Sequence, residues 1–116
     1  MKSELVRVVT AHSASTHDPL ILKKGDIVHV TERDTEWAEW LQCTDPAGKT
    51  GWVHETLLDI FGTHGVLVKD YEATELEAPE GVVLTVQFRL GGWLWCVCPH
   101  GKSGWIPERN VKKVTI

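Results

Sequence analysis

Short apolar runs alternate with turn residues along the whole chain. The runs are rich in valine, isoleucine, leucine and tryptophan, and glycine, proline and aspartate separate them at spacings too short for helices. This pattern predicts an all-β protein. We predict strands near residues 5–11, 26–32, 40–44, 50–53, 57–61, 65–70, 82–88, 93–98, 103–106 and 111–115.

One segment allows a competing interpretation. Trp37, Trp40 and Leu41 have the spacing of an amphipathic helix over residues 35–43. The corresponding segment later in the chain, residues 91–98, has no helix-forming character. We therefore predict a strand at this position.

The chain contains an internal repeat. The segment GKTGWVHE at residues 48–55 returns without a gap as GKSGWIPE at residues 101–108, an offset of 53 from Trp52 to Trp105. Upstream, residues 24–30 correspond to residues 80–86 at an offset of 56, and the difference is one of loop length. The six tryptophans divide equally between the copies, as Trp37, Trp40 and Trp52 and as Trp93, Trp95 and Trp105.

The duplication predicts two five-stranded domains. We place the first repeat at residues 1–61 and the second repeat at residues 62–116. The join, Gly62 to Gly65, is short and is not a flexible linker. The two domains are therefore expected to pack together.

The composition is that of a globular protein without a membrane-spanning segment. Of the 116 residues, 42% are hydrophobic and 24% are charged, and no apolar run is long enough to cross a bilayer. The first five residues turn acidic before any apolar stretch develops, so they do not predict a signal peptide. The chain has three cysteines, Cys43, Cys96 and Cys98, which are few for a disulfide scaffold and cannot all pair within one chain. We expect reduced thiols and a cytoplasmic protein.

The charge argues against nucleic acid and anionic membranes as partners. The net charge is −4, and the chain through Phe61 carries six basic against ten acidic side chains. Small β-barrels do stack nucleobases on aromatic side chains, so single-stranded nucleic acid remains a third hypothesis, to be tested by a salt-dependent shift.

An ordered set of motifs in both repeats resembles the Src homology 3 (SH3) domain. In the second repeat, Leu67 to Tyr71 corresponds to the ALYDY motif of that family, Trp93 to the start of its tryptophan pair, and Gly104 to Pro107 to its glycine, aromatic, aliphatic, proline run. The first repeat matches more loosely, through residues 20–26, Trp37 and residues 51–53. The resemblance implies two tandem five-stranded SH3-like β-barrels.

The resemblance also implies a binding surface. SH3 domains hold extended, proline-rich peptides in aromatic grooves, and nearby acidic side chains receive an arginine or lysine of the ligand. By position, the second repeat supplies Tyr71, Trp93, Trp105 and Pro107, and the first supplies His12, Trp37 and Trp52.

This sequence also departs from the family pattern. Lys69 and Thr10 replace the first tyrosine of ALYDY, and Asn110 and Leu57 replace the tyrosine of the closing motif. A standard PxxP ligand is therefore not predicted. The resemblance is closer to divergent, often bacterial SH3-like domains.

Two further tryptophans correspond to a position where the family exposes a long polar side chain. We interpret Trp40 and Trp95 as inter-repeat packing residues or as a surface covered by a partner. The alternative is a partly exposed tryptophan lying on its own sheet.

No catalytic, cofactor or metal site is predicted. Cys96, Cys98 and His100 suggest zinc, but Cys-x-Cys lacks the usual turn geometry, and Cys96 aligns with a core position of the family and with Leu41. Ser13, Ser15 and Thr16 lie with two histidines in a turn-like segment rather than in a triad.

We expect a non-enzymatic interaction module that binds a peptide segment or partner protein, as a monomer or homodimer. The alternative is a structural or regulatory subunit whose aromatic faces are permanently buried in an oligomer.

Overall fold

The structure is a computed structural model that describes residues 4–115, and its regular elements within that range are β-strands and two 3-10 turns. The strands are β1 (Glu4–Val8), β2 (Ile21–Leu22), β3 (Ile27–Arg33), β4 (Trp40–Thr44), β5 (Thr50–His54), β6 (Leu58–Phe61), β7 (His64–Leu67), β8 (Tyr71–Glu72), β9 (Val83–Leu90), β10 (Trp93–Val97), β11 (Ser103–Pro107) and β12 (Val111–Lys113). The 3-10 turns are Glu55–Leu57 and Glu108–Asn110. The all-β prediction is confirmed, and Trp40 begins a strand rather than lying in a helix.

The chain forms two compact units. The continuous unit comprises residues 18–73, and the discontinuous unit comprises residues 4–17 together with residues 74–115. Their five-stranded sheets have the orders β5-β4-β3-β7-β6 and β11-β10-β9-β1-β12. The units do not divide at the predicted boundary after residue 61, because that boundary lies in the loop of the β6–β7 hairpin.

The two units are built in the same way. Trp40 pairs with His54 across β4 and β5, and Trp93 pairs with Pro107 across β10 and β11, at the offset of 53 that the repeat predicts. The pairing of β3 with β4 shifts between Val30 and Glu32, and that of β9 with β10 shifts at the equivalent place. The internal duplication thus extends to register and bulges.

The first strands of the two repeats are exchanged between the sheets. Strand β1, from the first repeat, pairs with β9 and β12 of the second. Strand β7, from the second repeat, pairs with β3 and β6 of the first. Each five-stranded sheet therefore contains four strands of one repeat and the first strand of the other.

The short join between the repeats explains how β7 reaches its position. Phe61 pairs with His64, which leaves Gly62 and Thr63 as a two-residue hairpin loop. Gly62 has φ +61°, the left-handed conformation that a type II′ hairpin requires at its first central residue. The last strand of the first repeat therefore continues directly into an antiparallel neighbour.

Side-chain size matches each exchanged strand to its sheet. At Gly65 in β7, an added Cβ would lie 3.1 Å from Leu58 Cδ2, so a larger residue at this position requires the Leu58 side chain to shift. The register places Val6 of β1 at the equivalent position of the discontinuous unit, and there the counterpart of Leu58 is the smaller Val111. Exchanging the strands back would set Val6 against Leu58, which overpacks that core.

Each unit has its own apolar core. The buried residues of the discontinuous unit are Val6, Val8, Leu76, Ala78, Leu84, Leu94, Cys96 and Ile106. The buried aliphatic and cysteine residues of the continuous unit include Leu20, Leu22, Val28, Leu41, Cys43, Val53, Leu58 and Leu67. Within residues 4–115, no helix is long and apolar enough to cross a membrane.

Candidate functional site

In the discontinuous unit, a histidine of the first repeat contacts a tryptophan of the second. The ring of His12 meets that of Trp93 edge-on, with centroids 5.8 Å apart. His12 forms a β-bridge to Ala78, which fixes its backbone beside the sheet. Pro107 pairs with Trp93 in the register of β10 and β11, so Trp93 is a neighbour of both His12 and Pro107.

A carboxylate is held beside this contact. His12 Nε2 donates to Glu75 Oε1 at 2.9 Å, and the Ser15 hydroxyl donates to the other carboxylate oxygen. Partial burial by itself raises the pKa of Glu75, but the two hydrogen bonds outweigh it and hold the pKa below its usual value. The carboxylate therefore stabilises the fold near neutral pH, and this contribution is lost as the pH falls through the lowered pKa.

An aromatic cluster covers the outer face of β9, β10 and β11. Trp95 pairs in register with Phe88 on one side and Trp105 on the other. Phe88 and Trp95 are stacked, with centroids 6.0 Å apart, and Trp105 meets both rings edge-on at 5.4 and 5.3 Å. Phe88 remains 50% exposed, whereas Trp105 is only 4% exposed. Trp105 is thus the buried base of the cluster, and Phe88 is its open part.

In the continuous unit, a tyrosine of the second repeat contacts a tryptophan of the first. The Tyr71 hydroxyl donates to the backbone carbonyl of Trp52 at 2.7 Å. Tyr71 pairs with Leu22 across β8 and β2, as His12 is bridged to Ala78 in the other unit. The ring of Tyr71 is buried, whereas Trp52 is 36% exposed.

A buried histidine takes the place that proline has in the other unit. His54 is 2% exposed, and its ring meets that of Trp40 edge-on at 5.1 Å. The Thr56 amide donates to His54 Nδ1 at 3.2 Å, and His54 Nε2 donates to Glu39 Oε2 at 3.1 Å. His54 Nδ1 therefore caps the 3-10 turn that follows.

The loop between β3 and β4 carries Trp37 among acidic residues. The Trp37 amide donates to Asp34 Oδ2 at 2.7 Å, and its side chain is half-buried. Glu32, Glu36, Glu39 and Glu55 lie on this loop or on the adjoining strand and turn. The continuous unit carries eleven acidic and five basic side chains, a net charge of −6, whereas the remainder of the chain carries +2. The net negative charge of the continuous unit is therefore larger than that of the chain through Phe61.

The predicted residues are brought together in different groups from those expected. Tyr71 belongs to the unit of Trp37 and Trp52, whereas Trp93, Trp105 and Pro107 belong to the other unit. His12 lies instead with the three residues of the second repeat. The strand exchange is the reason, because the segment that follows each first strand moves with it.

The proposed equivalence of the tryptophans is also corrected. The registers match Trp40 with Trp93, and Cys43 rather than Leu41 with Cys96. Trp37 lies in a loop that the second repeat replaces with Gly91 and Gly92, so it has no counterpart. Trp40 is 5% exposed, so it is not a solvent-facing residue. Inter-repeat packing by Trp40 and Trp95 stays a prediction.

Two of the three cysteines are core thiols, and Cys98 is half-buried. Cys43 and Cys96 are buried, and burial raises the pKa of each to about 11. The described residues contain no group of three or more histidine, cysteine or acidic side chains that could hold a metal ion. Sequence reasoning missed the roles of Glu75 and Phe88. Of these, Glu75 had a signal, since it is an acidic residue in the loop that follows the ALYDY-like segment.

These features define a class of protein: a small all-β protein that carries partly exposed aromatic side chains and, in the continuous unit, an acidic loop. Comparison with family models matches residues 5–61 to the variant SH3 domain family. This segment of the chain is therefore similar to a variant SH3 domain, and such a domain is in general a protein-interaction module. No curated protein matches the chain.

The family match and the fold divide the chain differently. The matched segment runs continuously through β1 to β6. In the structure, β1 pairs with β9 and β12, and β7 completes the sheet formed by β3 to β6. The family match follows the order of the motifs along the sequence. The exchange of β1 and β7 determines which motifs lie in the same unit.

Proposed function

We propose that the protein is a non-enzymatic interaction module with two SH3-like binding surfaces, each built from both repeats. One observation carries the proposal: in each unit, the residue that follows the exchanged first strand contacts a tryptophan of the other repeat. His12 contacts Trp93, and Tyr71 bonds to Trp52. The match to a variant SH3 domain supports a binding role, since such domains are typically non-catalytic.

The proposal of two tandem domains rests on the strand order and register that the two units share. The discontinuous unit repeats the strand order, the pairing and the bulge of the continuous unit. We therefore propose that it is a second SH3-like domain. The two surfaces would then bind a ligand with two segments more tightly than either surface alone. A cytoplasmic location stays a prediction.

The ligands of the two surfaces are proposed to differ. In the continuous unit, Trp37 and Trp52 lie in a unit of net charge −6, which favours an extended segment carrying arginine or lysine. In the discontinuous unit, Trp93 and the exposed Phe88 favour an apolar or proline-containing segment.

The salt dependence of peptide binding tests this difference in ligand preference. We expect the affinity of the intact chain for a lysine- and arginine-containing peptide to fall as salt is raised, because exposed charges attract less strongly through an ionic atmosphere. A peptide of the same length with the basic residues replaced by glutamine is the control, and its affinity should change little. Fluorescence anisotropy measures both. Equal salt dependence for the two peptides would contradict the assignment of the basic ligand to the continuous unit.

The second candidate function is a structural subunit with a permanently covered aromatic face. Phe88, half exposed and stacked on Trp95, favours it, because exposed aromatic clusters mark interaction surfaces. Light scattering separates the two functions. A stable homodimer that dissociates on Phe88→Ser supports the structural role, whereas a monomer that binds peptides supports the interaction module.

A further inference from the structure

Two histidines lie directly opposite each other on neighbouring strands of the continuous unit. His29 of β3 pairs with His64 of β7. The Val30 amide donates to the Thr63 carbonyl at 2.8 Å, so the adjacent pair, His29 and His64, is of the non-hydrogen-bonded kind. In such a pair the side chains of an antiparallel ladder lie closest together.

Both imidazole rings lie on the solvent face of the sheet. The neighbours Val28 and Gly65 are buried, whereas His29 and His64 are exposed, as the alternation of a strand requires. Their ring centroids are 5.3 Å apart at an interplanar angle of 79°. Two imidazoles bound to one Zn²⁺ at ~2.1 Å have centroids roughly 5 Å apart. The strand register therefore holds the rings at the separation that a shared metal ion needs.

The fold does not need histidine at these positions. In the discontinuous unit, the same register positions are occupied by Thr85 and Leu5, which also pair with each other. Neither histidine fills the core. The contact between Thr63 Oγ1 and His64 Nδ1 is long, at 3.4 Å. The pair is thus specific to the continuous unit and is not required by its architecture.

We propose that His29 and His64 form a two-histidine site for a divalent transition-metal ion of the zinc, copper and nickel class. Imidazole nitrogen is a favourable donor for all three metals. No third metal-binding side chain joins the pair within residues 4–115, so solvent or an external ligand completes the coordination. The site is separate from the segment with Cys96, Cys98 and His100.

Calorimetric titration of the full chain with zinc chloride tests the site. We expect one ion per chain. His29→Thr and His64→Leu introduce the residues of the equivalent positions and should each weaken binding at least about tenfold, because the second imidazole no longer adds its ligand intramolecularly. His100→Gln is the control and should leave the affinity unchanged. The thermal midpoint without metal should stay the same in all three variants, which shows that they fold.

Paramagnetic broadening locates the ion independently. With copper(II) sulfate added to the isotope-labelled chain, we expect the amide signals of β3 and β7 around His29 and His64 to broaden first. Broadening centred on residues 98–100, zinc affinity that survives both histidine substitutions, or no binding at a large molar excess of metal would each overturn the proposal.

Discussion

The fragment of residues 18–73 is expected to fold as a monomer and to be more stable than the fragment of residues 1–61. The first fragment contains every strand of the β5-β4-β3-β7-β6 sheet together with β2 and β8. The second fragment corresponds to the matched family segment but lacks β7, so only β1 is available in its place. Chemical denaturation of both fragments, with their masses from light scattering, measures the difference.

The expected difference in stability between the two fragments has two physical causes. In the fragment of residues 1–61, Val6 would occupy the position of Gly65, where a single Cβ would already lie 3.1 Å from Leu58 Cδ2. Overpacking of this kind costs about 1–3 kcal/mol. The fragment also lacks Tyr71 and its hydrogen bond to the Trp52 carbonyl, a contribution of about 1 kcal/mol.

A matched substitution controls for fragment length. Leu58→Val introduces the residue found at the equivalent position, Val111, and should stabilise the fragment of residues 1–61 while destabilising that of residues 18–73. If both fragments have the same free energy of unfolding, and Leu58→Val lowers it equally in both, side-chain size does not direct the strand exchange.

The second large effect is a contrast between alanine substitutions at two equivalent tryptophans, Trp40 and Trp93. Trp40→Ala should destabilise the protein by about 3–5 kcal/mol, because Trp40 is a buried ring packed on His54. Trp93→Ala should reduce peptide affinity by about 2 kcal/mol with a smaller loss of stability, because Trp93 is only partly buried beside His12. Thermal unfolding and peptide titration measure the two quantities on each variant.

Trp37→Ala provides the comparison, since Trp37 lies in a loop and has no counterpart in the other unit. It should leave the free energy of unfolding nearly unchanged. If Trp93→Ala unfolds the protein while its surviving folded fraction keeps full peptide affinity, Trp93 is a core residue and not part of a binding surface.

The sequence was sufficient to predict the repeat and ten of the twelve described strands, but not the two-residue strands β2 and β8. Alternating apolar residues and the GKTGWVHE and GKSGWIPE segments located β4, β5, β10 and β11, because strand positions depend on local pattern. The pairing of the tryptophans was wrong, because the length difference between the repeats lies in the loop of residues 34–39, where the second repeat has only Gly91 and Gly92.

The exchange of β1 and β7 had no local signal. Both strands have an apolar alternation that suits either sheet, and their registers are equivalent. What distinguishes them is the size of one inward residue, Val6 or Gly65, relative to a residue on the strand beside it. Such a preference depends on pairs of positions in three dimensions, so the grouping of His12 with Trp93 and of Tyr71 with Trp52 could not be read from the motifs.

The contacts between α-protons in solution NMR test the strand exchange most directly. Leu5 and Thr85 are opposite each other on β1 and β9, in the non-hydrogen-bonded kind of pair, as are His64 and His29 on β7 and β3. We predict strong α-proton Overhauser effects between Leu5 and Thr85 and between His64 and His29. Strong effects between Leu5 and His29 and between His64 and Thr85 would show that each repeat keeps its own first strand, and would contradict binding surfaces built from both repeats.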